Sequence, residues 1–261
     1  MKWLALVIGL YAAACAGFMI GRNDLIYQFD PEDYPTSVAG LDVRVEQVGD
    51  VEVWVHTGDP DLPVVLYFTG NVGNPGRVGP VLREYGVNGF SWAVMRYQRE
   101  GVSEAALVQD ALNVRAELSR LIGQPVPAER LVLHGHSLGS GIGSNVARQV
   151  DAAGLILEAP FTRLCALGSE VFPGLPYCLL SPGHRYATIE RIDQIDMPLL
   201  VMHGGADEVI PVEMGRAVFE AAEDPKQLIV YPEGNHNDLR LFGGGIAARR
   251  FAVEATGSTP R

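Results

Sequence analysis

Between residues 64 and 232 the sequence alternates short apolar runs with stretches of helical periodicity. The apolar runs are "VVLYFT" (64–69), "SWAVMRY" (91–97), "RLVLH" (130–134), "GLILEA" (154–159), "PLLVMHG" (198–204) and "QLIVYP" (227–232). Continuous apolar runs are typical of strands that are covered on both faces. Helices between them, as predicted at 104–122, 139–150 and 212–223, indicate right-handed crossovers between parallel strands. The predicted fold class is therefore α/β, a mostly parallel sheet flanked by helices.

Two further segments complete this outline. "LDVRVEQV" and "VEVWVH" alternate with period two around Gly49 and Asp50, which predicts a β-hairpin. Residues 160–190 are rich in proline, glycine and aromatics and interrupt the alternation. They predict a small cap insertion over the C-terminal edge of the sheet, where open α/β sheets bind ligands.

Composition excludes some classes of function. The formal net charge of -11 argues against a nucleic-acid partner, because a phosphate-binding surface needs a basic excess. The sequence has no P-loop, no dinucleotide-binding glycine motif after a strand and no metal-spaced Cys/His cluster. We therefore predict that the protein uses no cofactor and no metal.

The N-terminus has a different character. Residues 3–21 contain no charged side chain, and about nineteen residues at 1.5 Å each nearly span a bilayer. The run exceeds the usual apolar core of a signal peptide, which favours a retained membrane anchor over a cleaved signal, a lipoprotein signal or a buried core helix. Lys2 favours an extracytoplasmic domain, although Arg22 on the other flank weakens this orientation. We predict a single-pass anchor at 1–22 and a linker at 23–40.

The turn after the apolar run "RLVLH" carries the chemical signal. Gly135-His136-Ser137-Leu138-Gly139 reads G-x-S-x-G, with a strand before it and a helix after it. That context makes the serine a candidate nucleophile, lifted clear of the sheet by a sharp turn. The alternative is a glycine-rich turn with an idle serine.

A serine nucleophile needs a base and an acid that orients the base. Asp207 follows the "PLLVMHG" strand and His236 follows "QLIVYP", so both lie on the same sheet edge as Ser137. The order Ser, Asp, His is the order expected for this motif. For the oxyanion, we predict the backbone N–H groups of Leu138 and of Asn71, in the loop "TGNVGN".

Other titratable residues are weaker candidates. Glu208 and Glu158 are alternative acids, while His136 is predicted to line a pocket or pack. His134 is predicted as a strand residue, His203 as a residue beneath the acid loop, and Asp110 as a structural hydrogen-bonding residue on a helix.

These segments, with "YFTGNVGN" and "LILEAPFTRL", resemble the α/β-hydrolase fold family. They are most similar to its N-terminally membrane-anchored serine hydrolases, the depalmitoylase-like and serine aminopeptidase-like branch. The resemblance covers roughly residues 22–240, and we predict a hydrolase domain at 41–261. The resemblance implies Ser137 as nucleophile, Asp207 as acid, His236 as base, and Asn71 and Leu138 as oxyanion donors. Thr69 stands where the branch usually has histidine, and the loop "QREGVSEAAL" is shorter than usual.

The resulting hypothesis is hydrolysis of an ester, thioester or amide through an acyl-serine intermediate, with an acyl-ester, thioester or peptide substrate. The alternative is a non-catalytic binding protein with the same fold. Whether Cys165 and Cys178 form a disulfide is left open, because sequence does not give the distance between their Cα atoms.

Overall fold

The protein is described by a computed structural model that covers residues 2–258. The first residue of the predicted anchor and the last three of the predicted hydrolase domain lie outside the described residues. The described part contains an eight-stranded sheet in the order β1-β2-β4-β3-β5-β6-β7-β8. Only β2 runs against its neighbours, so the sheet is mostly parallel as predicted.

The strands are β1 (Arg44–Val48), β2 (Val51–His56), β3 (Val64–Phe68), β4 (Ser91–Met95), β5 (Leu131–His136), β6 (Gly154–Glu158), β7 (Leu199–Gly204) and β8 (Lys226–Tyr231). The helices are α1 (Lys2–Ile26), α2 (Gly79–Gly86), α3 (Glu104–Ala116), α4 (Leu118–Ile122), α5 (Leu138–Ala147), α6 (Leu164–Val171), α7 (Tyr177–Leu180), α8 (Val212–Ala221) and α9 (Gly244–Thr256). The predicted hairpin is formed by β1 and β2.

Except for the edge strand β8, whose residues are all half-buried, the continuous apolar runs are strands with a core on each face. In β3 every residue is buried, with Leu66 and Phe68 in one core cluster and Tyr67 in the other. The first cluster includes apolar residues of α3, α5 and α8, and the second includes residues of α2 and α9. Because both faces are covered, these strands lack the polar alternation of a half-exposed sheet.

The strand order changes direction between β3 and β5. The chain passes from β3 to β4 on one side and then returns to place β5 on the other side. The loops that follow β3 and β5 therefore separate, and a crevice forms at the carboxyl edge of the sheet. The candidate site residues lie at this edge.

The cap insertion and the N-terminal helix are in contact. The predicted 160–190 insertion carries α6 and α7, and a disulfide joins Cys165 to Cys178 within it. The helix α1 runs to Ile26, past the predicted boundary at 22, and Tyr27 and Phe29 in the predicted linker segment are buried in the core. The segment after the apolar run is thus packed against the sheet and cap rather than extended away from them.

The helix α1 has the length and hydropathy needed to cross a membrane. An 18-residue window has a mean hydropathy of 2.1, and only 6% of that window is buried within the protein. This exposure excludes the buried core helix considered for this segment, because the apolar surface of α1 is left without a protein cover.

Candidate active site

Ser137 occupies the tight turn between β5 and α5. Its backbone has φ 54° and ψ -119°, a conformation that few residues other than glycine adopt. A Cβ on Gly135 would overlap the carbonyl oxygen of Gly139, and one on Gly139 would overlap that of Phe68. The glycines of the motif therefore let three backbone segments approach closely enough for the turn to form.

The hydroxyl of Ser137 lies next to His236. Oγ of Ser137 is 3.0 Å from Nε2 of His236, and Nδ1 of His236 is 2.8 Å from Oδ2 of Asp207. With Nδ1 donating to the carboxylate, Nε2 is free to accept the serine proton. The structure thus brings together the three residues that chain order had singled out.

The loops that carry Asp207 and His236 are joined to each other through the backbone. The Ala206 N–H donates to the Gly234 carbonyl at 2.9 Å, and the Gly205 N–H donates to the Tyr231 carbonyl at 2.7 Å. The Asn235 side chain then accepts the His236 N–H at 2.6 Å. These bonds fix the position of His236 relative to Asp207.

Asp207 is held as a carboxylate despite its burial. Oδ1 accepts the N–H groups of Val209 and Ile210, each at 2.8 Å, and the side chain is fully buried. Burial by itself would raise the pKa of Asp207. Hydrogen bonds from His203, His236 and the Ile210 N–H outweigh it and hold the pKa well below its usual range.

His203 lies beneath the acid loop, at the place predicted for it. Its Nε2 is 2.9 Å from the Ile210 carbonyl oxygen and 3.4 Å from Oδ2 of Asp207, while Nδ1 is buried without a partner. A proton on Nε2 satisfies these contacts, since both neighbouring oxygens are acceptors. His203 therefore supports the loop and the carboxylate of Asp207 together.

The alternative acids do not take the place of Asp207. Glu208 is exposed, and its backbone N–H lies 3.4 Å from the Asn235 side chain. Asp110 is partly buried on α3, but its side chain has no hydrogen-bond partner among the described residues, so the predicted structural hydrogen bond is not found. Glu158 is closer to the site, because its backbone carbonyl accepts the Ser137 N–H at 2.9 Å.

The Glu158 side chain belongs to a second polar network behind the serine. Its Oε2 is 3.3 Å from Nε2 of His134, and Nδ1 of His134 is 2.8 Å from the Tyr85 hydroxyl. Burial raises the pKa of Glu158, but the hydrogen bond from His134 and the other nearby histidines hold it below its usual value. Glu158 is thus an anion that helps to anchor the β5 and β6 ends.

The loop after β3 faces the serine. Asn71, Ser137 and Leu138 line one cavity of about 290 Å³. Among the described residues, no protein acceptor takes the backbone N–H of Asn71 or of Leu138. Both groups are therefore available to a ligand oxygen in the cavity.

Tyr97 holds this loop, and sequence reasoning had missed it. Its hydroxyl donates to the Thr69 carbonyl at 2.8 Å, and its N–H donates to the Gly73 carbonyl at 2.9 Å. Thr69, which replaces the histidine usual in the branch, is itself buried. The only signal in the sequence was an aromatic residue with a hydroxyl just past a buried strand.

The rest of the cavity is mostly apolar, and Gln28 is its one polar amide. Its walls come from the end of α1, from the cap and from the loop after Asp207. They comprise Leu25, Ile26, Gln28, Phe161, Leu164, Leu167, Gly168, Val171, Phe172, Tyr177, Val209 and Ile210, in addition to the three residues named above. No charged side chain is among these lining residues.

Comparison with known proteins places this arrangement in a family. The Mycobacterium tuberculosis protein MT2364, of uncharacterized function, is 33% identical over 268 residues, which cover 95% of this chain and 93% of that protein. The family model described as serine aminopeptidase, S33 matches residues 184–240, which include Asp207 and His236. The esterase Pf2001 of Pyrococcus furiosus has a TM-score of 0.68 at 14% identity, covering 87% of this chain and 97% of that one. The chain belongs to the α/β-hydrolase family.

Two further relatives of this α/β-hydrolase are named for activities. Lysophosphatidylserine lipase ABHD12 of Danio rerio is 28% identical over 209 residues, 71% of this chain and 54% of that protein. Thermogutta terrifontis esterase 2 has a TM-score of 0.65 at 20% identity, with 88% of this chain and all of that one covered. Membership of this esterase- and lipase-containing family makes the protein a hydrolase.

Proposed function

We propose that the protein is a serine hydrolase that cleaves an ester or thioester of an apolar acyl chain. The observation that carries the proposal is the chain of contacts from Ser137 through His236 to Asp207, at 3.0 Å and 2.8 Å, beside an apolar cavity. A base within hydrogen-bond distance of a hydroxyl can activate it as a nucleophile.

In the first half-reaction Nε2 of His236 takes the Ser137 proton while Oγ attacks the acyl carbonyl carbon. The carbonyl oxygen becomes an oxyanion, which the Asn71 and Leu138 N–H groups stabilise. The tetrahedral species collapses, the bond to the leaving group breaks, and His236 gives its proton to that group. Asp207 stays ionised and stabilises the imidazolium.

In the second half-reaction water replaces the leaving group. His236 takes a proton from the water, whose oxygen attacks the acyl-serine carbonyl. Collapse releases the carboxylic acid and returns the proton to Oγ of Ser137. No cofactor enters this sequence of steps.

The residues that line the cavity favour an acyl chain over a peptide as substrate. An aminopeptidase needs an anionic group for the substrate ammonium, and none of the lining residues is charged. An acyl chain needs only apolar walls, which the cap and α1 supply. The lipase activity in the name of ABHD12 agrees with this choice. Amide hydrolysis is therefore the less favoured use of the same residues.

The location of the domain follows from α1 and the disulfide. We propose residues 1–22 as a single-pass anchor, residues 23–40 as the connection and residues 41–261 as the hydrolase domain. Disulfides persist in oxidising compartments, so the Cys165–Cys178 bond favours an extracytoplasmic domain. Packing of Phe18 against the cap favours retention of the helix over its cleavage as a signal.

A fluorophosphonate probe tests the proposal. Full-length protein should be labelled at Ser137, and Ser137→Ala should abolish labelling. Ser144→Ala is the matched control, because its hydroxyl is buried on α5 and bonds the Gly141 carbonyl. A wild-type protein that neither reacts with the probe nor hydrolyses acyl esters would instead be a binding protein with this fold.

A further inference from the structure

The cap has an uncharged tip. We define the cap tip as residues 171–183, "VFPGLPYCLLSPG", which contain no charged side chain between Glu170 and His184. Three of its thirteen residues are proline, at 173, 176 and 182. A surface excursion of this length without a charge is unusual for a segment that faces water.

The cap tip packs along the N-terminal helix. The Tyr11 hydroxyl donates to the Gly174 carbonyl at 2.9 Å, and the Phe18 ring lies edge-on to Tyr177 with centroids 4.8 Å apart. Nearer the end of α1, Arg22 donates to the Leu180 carbonyl at 2.9 Å. The contacts follow the part of the helix that is apolar enough to cross a membrane.

The length of the contact between the cap tip and α1 shows how far the cap tip would reach into a bilayer. Tyr11 and Arg22 are eleven residues apart, or about 16 Å along a helix. One leaflet of the hydrocarbon core is about 15 Å thick. With the Arg22 guanidinium at the water boundary, the cap tip would extend beside α1 through about one leaflet.

The backbone of the cap tip meets part of the requirement of an apolar medium, because about half of its N–H groups are bonded within the cap. The prolines have no N–H to satisfy. Five N–H groups donate within the cap at 2.8–3.2 Å, those of Phe172, Leu175, Tyr177, Leu179 and Leu180. A segment in hydrocarbon must satisfy its polar backbone groups internally, because no water is available there.

The outward side chains are large and apolar. Leu179 is 78% exposed and Val171 is 61% exposed. The helix α1, which packs against the cap through Tyr11 and Phe18, also exposes large apolar residues, among them Leu4, Val7, Ile8 and Leu10. Both elements therefore present uncovered apolar side chains.

We propose that the cap tip inserts into the lipid bilayer beside α1, and that acyl chains enter the Ser137 cavity from the lipid. The cavity lies between these two elements, because Leu25 and Ile26 of α1 and Val171, Phe172 and Tyr177 of the cap line it together with Ser137. The second half of the proposal rests on the proposed acyl hydrolase function. The first half concerns only where the cap lies and can be tested without any turnover.

Tryptophan quenching tests insertion. Full-length Leu179→Trp in a Trp3→Phe background is reconstituted in phosphatidylcholine vesicles with and without brominated acyl chains. Leu241→Trp is the matched control, since Leu241 is 70% exposed but lies outside the cap and α1. The native Trp54 and Trp92 are buried in the domain and supply a constant background.

We expect brominated lipid to quench the tryptophan at position 179 and to leave the one at 241 unchanged. Equal, negligible quenching at both positions would overturn insertion. A tryptophan at 179 that is shielded from aqueous iodide but not quenched by brominated lipid would also overturn it, and would indicate a second protein copy on this surface.

Activity tests the entry of substrate. For Leu179→Asp, the rate on a long-chain acyl ester in vesicles, divided by the rate on a soluble short ester, should fall by at least about tenfold, because aspartate is costly in hydrocarbon. Leu241→Asp should keep the wild-type ratio. An unchanged ratio in Leu179→Asp would overturn lipid entry. If the wild-type protein hydrolysed neither the long-chain ester nor the short ester, the hydrolase function would be contradicted, and the quenching result alone would decide insertion.

Discussion

The ring of His136 donates to the backbone of the proposed base: its Nε2 lies 3.0 Å from the carbonyl oxygen of His236. The two imidazole centroids are 5.1 Å apart. Burial lowers the pKa of His136 below its usual value, although the nearby Glu158 carboxylate opposes the shift. His136, next to the proposed nucleophile, therefore positions the loop that carries the proposed base.

Removal of this bond should weaken turnover without abolishing it. We expect His136→Ala to lower kcat by about tenfold, the cost of one hydrogen bond that positions the base, with little change in KM. His136→Gln, which can still donate to the His236 carbonyl, should recover part of the loss. Steady-state kinetics on a soluble ester give kcat and KM separately. A loss in kcat as large as that of Ser137→Ala would make His136 part of the reaction.

Tyr97 should act on the oxyanion loop in the same indirect way. Tyr97→Phe removes the bond to the Thr69 carbonyl, so kcat and the rate of fluorophosphonate labelling should each fall by about tenfold. Thr69→Ser is the control, because it keeps the carbonyl that Tyr97 binds. Unaltered labelling of Tyr97→Phe would show that the loop holds its position without the tyrosine.

The lowered pKa of Asp207 predicts a pH dependence of stability. Its folded-state pKa lies below the unfolded value of about 3.9, so its ionised form stabilises the fold above that pH, and the contribution is lost as pH falls through the folded pKa. Wild type should exceed Asp207→Asn by more than about 1 kcal/mol in free energy of unfolding at pH 7.

The difference between these two proteins should shrink as the pH falls below about 4. Urea unfolding at a series of pH values measures this difference in free energy of unfolding. Glu208→Gln is the control, and its difference from wild type should not change in this way, since Glu208 is exposed. A gap that grows on acidification would mean that Asp207 is protonated in the native state.

The disulfide should stabilise the cap. Cys165→Ser with Cys178→Ser should lower the free energy of unfolding by about 3 kcal/mol, the chain-entropy value for a short loop. Cys15→Ala, which changes the free cysteine, should leave it unchanged. Denaturant unfolding measures the free energy of unfolding of wild type, the double serine variant and Cys15→Ala. Equal stability of these three proteins would mean that packing holds the cap without the disulfide.

Topology explains why the sequence could predict that the three residues of the proposed triad lie together. Ser137, Asp207 and His236 each follow a parallel strand, and the carboxyl ends of such strands meet at one edge. The sheet and the cap insertion were likewise readable, because continuous apolar runs and a proline-rich interruption have direct local causes.

The contacts that support these residues were not predictable in the same way. The His136 bond to the His236 carbonyl depends on the conformations of two loops, and the packing of Phe18 on Tyr177 depends on where the cap lies. Neither has a periodicity or a spacing in the sequence. The disulfide was undecided for the same reason, since it needs the fold of the cap to bring its two cysteines together.

Hydrolysis of a p-nitrophenyl acyl ester by purified Ser137→Ala tests whether Ser137 is the nucleophile. We expect a loss of about 10⁴–10⁶-fold in turnover, a similar loss in His236→Ala, and little further loss in the double variant, because both residues serve one step. Ser144→Ala should remain close to wild type. Turnover of Ser137→Ala near the wild-type rate, with unchanged stability of the protein, would show that Ser137 is not the nucleophile.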